Sequence, residues 1–216
     1  MGREIDPIEQ LKEAILTYDT ELAADAAQRI VAEKVDLLEA LGAMTAAIRL
    51  IGDDFSSGLL MLPDLVGAAS AMTAATPIIE EEIKKTGVQR QGSGSVVVGT
   101  VFGDIHDIGK NMVVTFLRAE GLTVHDLGIN VRAEGFIEAV KEHNADILAM
   151  SALLTTTAPE MHKVISALEN EGLRENTKVI VGGGAITEVF ADSIGAEGYG
   201  PNAPGAPALA RELIGR

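Results

Sequence analysis

Apolar side chains recur every three or four residues from the N-terminus to about residue 87, which is the period of helices with one buried face. Asp6-Pro7 reads as an N-cap followed by a proline at the first helical position, and Ile8, Leu11, Ala14, Ile15 and Tyr18 continue the apolar row. Asp19 and Asp36 are the next expected caps, opening helices over 20–33 and 37–53. A fourth helix is expected from Pro63 within MLPDLVGAASAMTAATPIIEEEIKK, with Pro77 bending it or ending it early because proline lacks the N–H that the helical ladder needs. Four helices joined by short loops predict a small bundle.

The periodicity stops in TGVQRQGSGS, residues 86–95, a stretch rich in Gly, Ser and Gln that reads as a linker. Beyond it, short β-branched runs alternate with amphipathic helices. The expected strands lie in SVVVGTV, LTVHDLG, DILAMSAL, TKVIVGG and EGYG, with helices near 108–119, 133–143, 159–170, 187–194 and 203–214. Strands that are apolar almost throughout and separated by helices predict a parallel sheet covered on both faces. The fold class is therefore α/β: an N-terminal four-helix bundle followed by a doubly wound, flavodoxin-like (Rossmann-type) sheet of five strands. The expected division is 1–87 for the helical domain, 88–95 for the linker and 96–216 for the α/β domain.

Composition narrows the partners. With 17 Lys plus Arg against 32 Asp plus Glu, the net charge of -15 repels phosphate backbones, so nucleic acid and anionic membrane are poor partners. Cysteine is absent, which excludes disulfides, thiolate metal sites and cysteine nucleophiles and suits a reducing cytoplasm. The start MGREIDPIEQ has no apolar leader, and no apolar run approaches the ~20 residues that span a bilayer. The expected location is cytoplasmic.

In a doubly wound sheet of order 2-1-3-4-5 the ligand site lies beyond the carboxyl ends of the strands, between the first and third. That singles out Asp104, His106 and Gly109 after the first strand, Ser151, Leu153, Thr155 and Thr157 around the end of the third, and Gly182, Gly183, Gly184 and Thr187 after the fourth. GDIHDIGKN, residues 103–111, imitates a phosphate loop, but five residues separate its outer glycines instead of four and Asn111 replaces the magnesium-binding hydroxyl. A nucleoside triphosphatase is not expected on that ground, and the dinucleotide GxGxxG is missing after the first strand. His125, His143 and His162 lie in separate elements without ligand spacing and read as surface or partly packed residues. His106 is different, because Asp104 two positions earlier can take its Nδ1 proton and leave Nε2 as an outward lone pair. That is the arrangement behind a metal ligand or a general base.

The set Asp104-x-His106-x-x-Gly109, then 41 residues, Ser151-x-Leu153, then 28 residues, Gly182-Gly183 resembles the signature of the cobalamin-binding domains of methionine synthase and its relatives. The stretch IGDDFSSGLLMLPDLVGAASAM is similar to that family's helical cap, so the likeness covers nearly the whole chain. Its nearest form is the small two-domain corrinoid protein of anaerobic methyltransferase systems.

The resemblance implies a cofactor, cobalamin or a related corrinoid that carries a methyl group as methylcobalamin, bound base-off and His-on. It implies His106 as the lower axial ligand of cobalt, Asp104 orienting it and Thr157 extending the hydrogen-bonded chain. It further implies Asp107, Gly109, Ser151, Leu153, Thr155, Gly182, Gly183, Thr187 and Tyr199 as residues around the nucleotide tail, and Met61, Leu62 and Leu65 as the cap positions over the upper corrin face. Met61 departs from the family's phenylalanine, and Gly184-Ala185 from its Ala-Pro. The implied function is a methyl carrier, cycling between Co(I) and methyl-Co(III) and not a complete enzyme by itself. Its implied partners are a substrate:corrinoid methyltransferase, a corrinoid:folate or corrinoid:thiol methyltransferase and a reductive activase, with the linker as a hinge. Two alternatives share the histidine motif: the small subunit of an adenosylcobalamin mutase, and a cobalamin-dependent sensor. The helical domain counts against the first, and the want of an output module against the second.

Overall fold

The computed structural model describes residues 5–86 and 94–215. The chain divides into two compact units, residues 1–91 and 92–216. The expected linker and hinge over 88–95 lies outside the described residues except for Gly94 and Ser95.

The first unit consists of α1 (Pro7–Leu16), α2 (Thr20–Ala32), α3 (Leu37–Ser56) and α4 (Leu62–Thr86). Asp6, Asp19 and Asp36 cap the first three through their carboxylates, which accept from the N–H groups of Ile8, Leu22 and Leu38. The short loops follow from how the helices stop. Tyr18 and Lys34 sit just past α1 and α2 at φ 65° and 56°, and Asp19 and Val35 then donate to the Ala14 and Ile30 carbonyls, closing each helix in a Schellman turn. Tyr18 thus belongs to the turn and not to the helix whose apolar row it was expected to extend. Leu11, Ile15, Ile30, Met44, Ile48, Leu65, Met72 and Ile79 fill the bundle core, each worth roughly 1.5–3 kcal/mol of burial.

Two expectations need correcting in α4. The helix starts one residue before Pro63 and runs unbroken through Pro77 to Thr86, so the proline does not end it. Leu62–Ile83 is also long and apolar enough to cross a bilayer by length and composition, although no such stretch was expected. Its inward row of Leu65, Ala68, Met72, Ala75 and Ile79 is buried, as in the core helix of a bundle.

The second unit is a five-stranded parallel sheet of order β2-β1-β3-β4-β5, formed by β1 (Ser95–Thr100), β2 (Thr123–Asp126), β3 (Ile147–Ser151), β4 (Lys178–Gly182) and β5 (Gly198–Gly200). The connecting helices are α5 (Ile108–Ala119), α6 (Ala133–His143), α7 (Pro159–Asn170) and α8 (Glu188–Ser193), with α9 (Ala206–Ile214) last. Both faces of the central strands are covered. Val97, Leu148, Val179 and Val181 join Phe136, Met161, Ile165 and Leu168 on one side. Val96, Val98, Ile147 and Ile180 join Val114, Leu117, Ala210 and Leu213 on the other. The unbroken apolar character of these strands has its cause in this double burial.

Candidate functional site

Thr100, Ser151 and Gly182 lie in register across β1, β3 and β4, so the three following loops leave the sheet at one level. The first makes a tight reversal at Gly103, whose φ of 81° suits glycine. Past that turn Asp104 faces inward with no exposed surface, while His106 faces outward with its side chain 46% exposed. The buried Thr100 hydroxyl donates to the His106 carbonyl at 3.0 Å and fixes the far end of the loop.

Five donors converge on the Asp104 carboxylate. Oδ1 lies 2.7 Å from His106 Nδ1 and accepts from the His106 N–H at 3.1 Å. Oδ2 accepts from the Leu153 N–H at 2.8 Å, the Leu154 N–H at 3.3 Å and the Thr157 hydroxyl at 2.7 Å. Burial alone disfavours the charged form and raises the pKa of this group. The bonds from Thr157, His106 and the backbone outweigh it and hold the carboxyl well below the ordinary carboxylate range. An acceptor-only carboxylate at 2.7 Å assigns the Nδ1 proton to the ring, so Nε2 carries the lone pair.

The other expected residues are placed as follows. Ser151 is half-buried at the end of β3, Leu153 (45% exposed) and Thr155 lie on the exposed loop beyond it, and Thr157 is buried. Gly183 has φ 122°, and a Cβ there would come within 2.1 Å of the Ala152 carbonyl oxygen, so the fold itself demands glycine. At Gly182 the obstacle is the Gly200 carbonyl at 2.8 Å. Gly109, near the start of α5, is different: a Cβ there would meet nothing within 4 Å among the described residues, so none of them requires glycine. Thr187 already accepts the Phe190 N–H as the N-cap of α8. Tyr199 is partly buried against the core, and Asp107 precedes α5 without capping it, its carboxylate accepting from the Asn111 amide at 3.1 Å. In the helical unit Met61 and Leu62 are exposed at 68% and 48%, whereas Leu65 is fully buried and has no surface to offer a ligand.

Several residues at the site were not anticipated from sequence. Asn130, at φ 56°, accepts the Gly103 N–H at 2.8 Å through its side chain and donates its own N–H to the Asp104 carbonyl at 3.0 Å. Lys110 is buried and paired with Asp126 at 2.6 Å. Arg132 lies over the Phe102 ring at 4.2 Å. Away from the site, His125 and His143, read from the sequence as surface or partly packed residues, stack with centroids 3.6 Å apart, and burial together with the neighbouring imidazole lowers the affinity of His125 for a proton.

The donor set constrains the ligand. Among the described residues no group of three or more His, Asp or Glu side chains could hold a metal ion, so His106 would be a lone protein ligand. A single imidazole suits a metal that arrives with its own equatorial ligands, as a corrinoid's cobalt does. The exposed Ile105, Ile108, Leu153 and Leu154 near the imidazole in sequence and along the loops give an apolar surface for a flat macrocycle, and the open space at Gly109 leaves room for it.

Comparison with known proteins agrees. Two family models, both described as a B12 binding domain, match residues 94–208 and 7–80. A corrinoid protein of Desulfitobacterium hafniense is 39% identical over 211 residues, covering 97% of this chain and 98% of its own. Dimethylamine corrinoid protein 1 of Methanosarcina mazei is 41% identical over 209 residues, covering 96% and 95%. Among solved structures, the methanol:cobalamin methyltransferase complex of Methanosarcina barkeri contains a chain that superposes with a TM-score of 0.80 at 28% identity, covering 98% of this chain and 81% of that one.

Proposed function

The chain belongs to the family of B12-binding corrinoid proteins, and from that premise we propose that it carries a methyl group between two methyltransferases on a corrinoid held by His106. One observation carries the reading: a half-exposed imidazole whose Nδ1 is tied to a buried, fully satisfied carboxylate, which aims the Nε2 lone pair away from the protein.

In this reading Asp104 fixes the tautomer and the orientation of the ligand, and Thr157 keeps the carboxylate in place. The backbone at Gly182 and Gly183 and the Ser151, Leu153 and Thr155 segment receive the displaced nucleotide tail. Asp107, Thr187 and Tyr199 border it. Met61 and Leu62 are exposed, as the apolar cover expected of the helical unit requires, whereas Leu65 is buried. When bound, the corrinoid supplies the cobalt atom that accepts and releases the methyl group.

The first partner is a substrate-specific methyltransferase. The methanol complex of the solved relative and the dimethylamine role named for the curated one support it. A second methyltransferase, acting on a folate or a thiol, and a reductive activase complete the proposed set. The relatives share the helical unit along with the α/β unit, which favours the carrier over a mutase subunit or a sensor. The lack of cysteine suits the reducing cytoplasm in which we place the protein.

Reconstitution tests the reading. Purified protein mixed with hydroxocobalamin should bind it stoichiometrically with a histidine-ligated visible spectrum, and His106→Ala should convert that spectrum to a water-ligated one. A spectrum indifferent to the substitution would overturn the role of His106.

A further inference from the structure

We propose that Lys110, Asp126 and Asn130 form a second brace on the histidine loop and that this brace, acting through the backbone, keeps His106 in its ligating position. The inference rests on the corrinoid reading above.

Lys110 is out of place by local criteria. It is 3% exposed, in the first turn of α5, where the helix dipole disfavours a cation and burial of an ammonium is costly. That turn holds no acidic residue to compensate. The compensation comes from outside the helix. Nζ lies 2.7 Å and 2.6 Å from the two Asp126 oxygens and 2.7 Å from Asn111 Oδ1, so all three ammonium protons are used. Helix α5 is thereby tied to the last residue of β2.

The tie continues into the segment after β2. Asp126 Oδ1 also accepts the Gly128 N–H at 2.9 Å, and the Gly128 carbonyl accepts the Thr100 N–H at 2.9 Å. Asn130 then reaches the start of the histidine loop, accepting from Gly103 and donating to the Asp104 carbonyl. Residues 126–130 therefore grip the loop on both sides of His106: at Gly103 and Asp104 before it, and at Lys110 after it. Asp104 holds the imidazole from the β3 side, and this segment holds the loop backbone from the β2 side. Neither Lys110, Asp126 nor Asn130 has a hydrogen bond to the imidazole among the described contacts, so they are positioning residues. A ligating atom must be held to within about 0.5 Å by the residues that support it, and this segment supplies such support on the side away from Asp104.

Two variants test the brace. Asp126→Asn removes the charge that faces Lys110 but keeps an acceptor. Asn130→Gly removes the grip on Gly103 at a position whose φ of 56° glycine adopts without strain, so it spares the fold even if the first variant does not. Each is reconstituted with hydroxocobalamin beside the wild type, reading bound stoichiometry, the ratio of histidine-ligated to water-ligated corrinoid from the visible spectrum, and the thermal midpoint of the apo-protein. The expected result is stoichiometric binding with that ratio lowered about tenfold in both variants, the lower end of what losing an outer partner of a metal ligand costs. An unchanged ratio in Asn130→Gly overturns the proposal, whatever happens to the midpoint. An unchanged ratio in Asp126→Asn with a lowered midpoint reduces the ion pair to packing and overturns its part. A wild-type spectrum that ignores His106→Ala would instead overturn the corrinoid reading, and this inference with it.

Discussion

Asp104 holds His106 twice through one oxygen: Oδ1 contacts Nδ1 at 2.7 Å and accepts the N–H of the same residue at 3.1 Å. Ring and backbone are thus referenced to a single buried atom. An amide at this position satisfies the backbone contacts less well and cannot accept from Nδ1 with comparable strength. Asp104→Asn should weaken histidine ligation of bound corrinoid by about 10- to 100-fold, read as the water-ligated fraction in the visible spectrum. An unchanged fraction would show that the carboxylate does not tune the ligand.

The acid limb of stability should report the same group. The folded carboxyl lies below its ordinary value of 3.8, so its stabilising effect is complete above that pH and is lost as the pH falls below it toward the folded value. Denaturant unfolding of the apo-protein between about pH 4 and pH 2 should therefore steepen by up to about 1.4 kcal/mol per pH unit from this residue, and the extra slope should vanish in Asp104→Asn.

Two glycines near the site should respond in opposite ways to alanine. Gly183→Ala forces a Cβ onto the Ala152 carbonyl at a φ of 122°, and a loss of about 3 kcal/mol or more is expected in urea unfolding. Gly109→Ala meets open space in the first turn of α5, so stability should hold or rise by about 0.5 kcal/mol while corrinoid affinity falls. Equal affinity in Gly109→Ala would remove that position from the binding surface.

The bundle offers an independent check. Pro77 lies inside α4 on an exposed face and withholds one hydrogen bond from the ladder. Pro77→Ala should raise the stability of the helical unit by about 1–3 kcal/mol, visible as a higher thermal midpoint by far-ultraviolet circular dichroism.

Most of the architecture was legible because it depends on local signals. The aspartate caps, the helix over 159–170 and the apolar strands are each readable within a dozen residues, and the parallel order follows from their alternation with helices. Pro77 misled because one lost bond is weighed against the burial of a whole helix, which a local reading does not see. The same division runs through the site. Asp104, His106 and the glycines follow from spacing, whereas Asn130 reaches Gly103 across 27 residues and Lys110 reaches Asp126 across 16, from an edge strand with no distinctive motif. Leu65, expected beside Met61 and Leu62, is buried in the bundle although it lies three positions from the exposed Leu62, so its burial depends on tertiary packing that spacing alone does not reveal.

The contacts of Asp104 also govern when the site comes into being. Besides the His106 N–H, the amides it binds belong to residues 49 and 50 positions further along the chain, and the Thr157 hydroxyl to one 53 positions further. Closing so long a loop is entropically expensive until β3 has docked beside β1, so the imidazole acquires its orientation only after most of the sheet has assembled. The helical unit, built from neighbours in sequence, has no such wait and leaves the ribosome first. A nascent or truncated chain ending before residue 157 would contain the histidine and its aspartate but lack the Thr157 hydroxyl that holds the carboxylate from the β3 side. On the proposed reading, a chain would take up its cofactor only once this part of the sheet is complete.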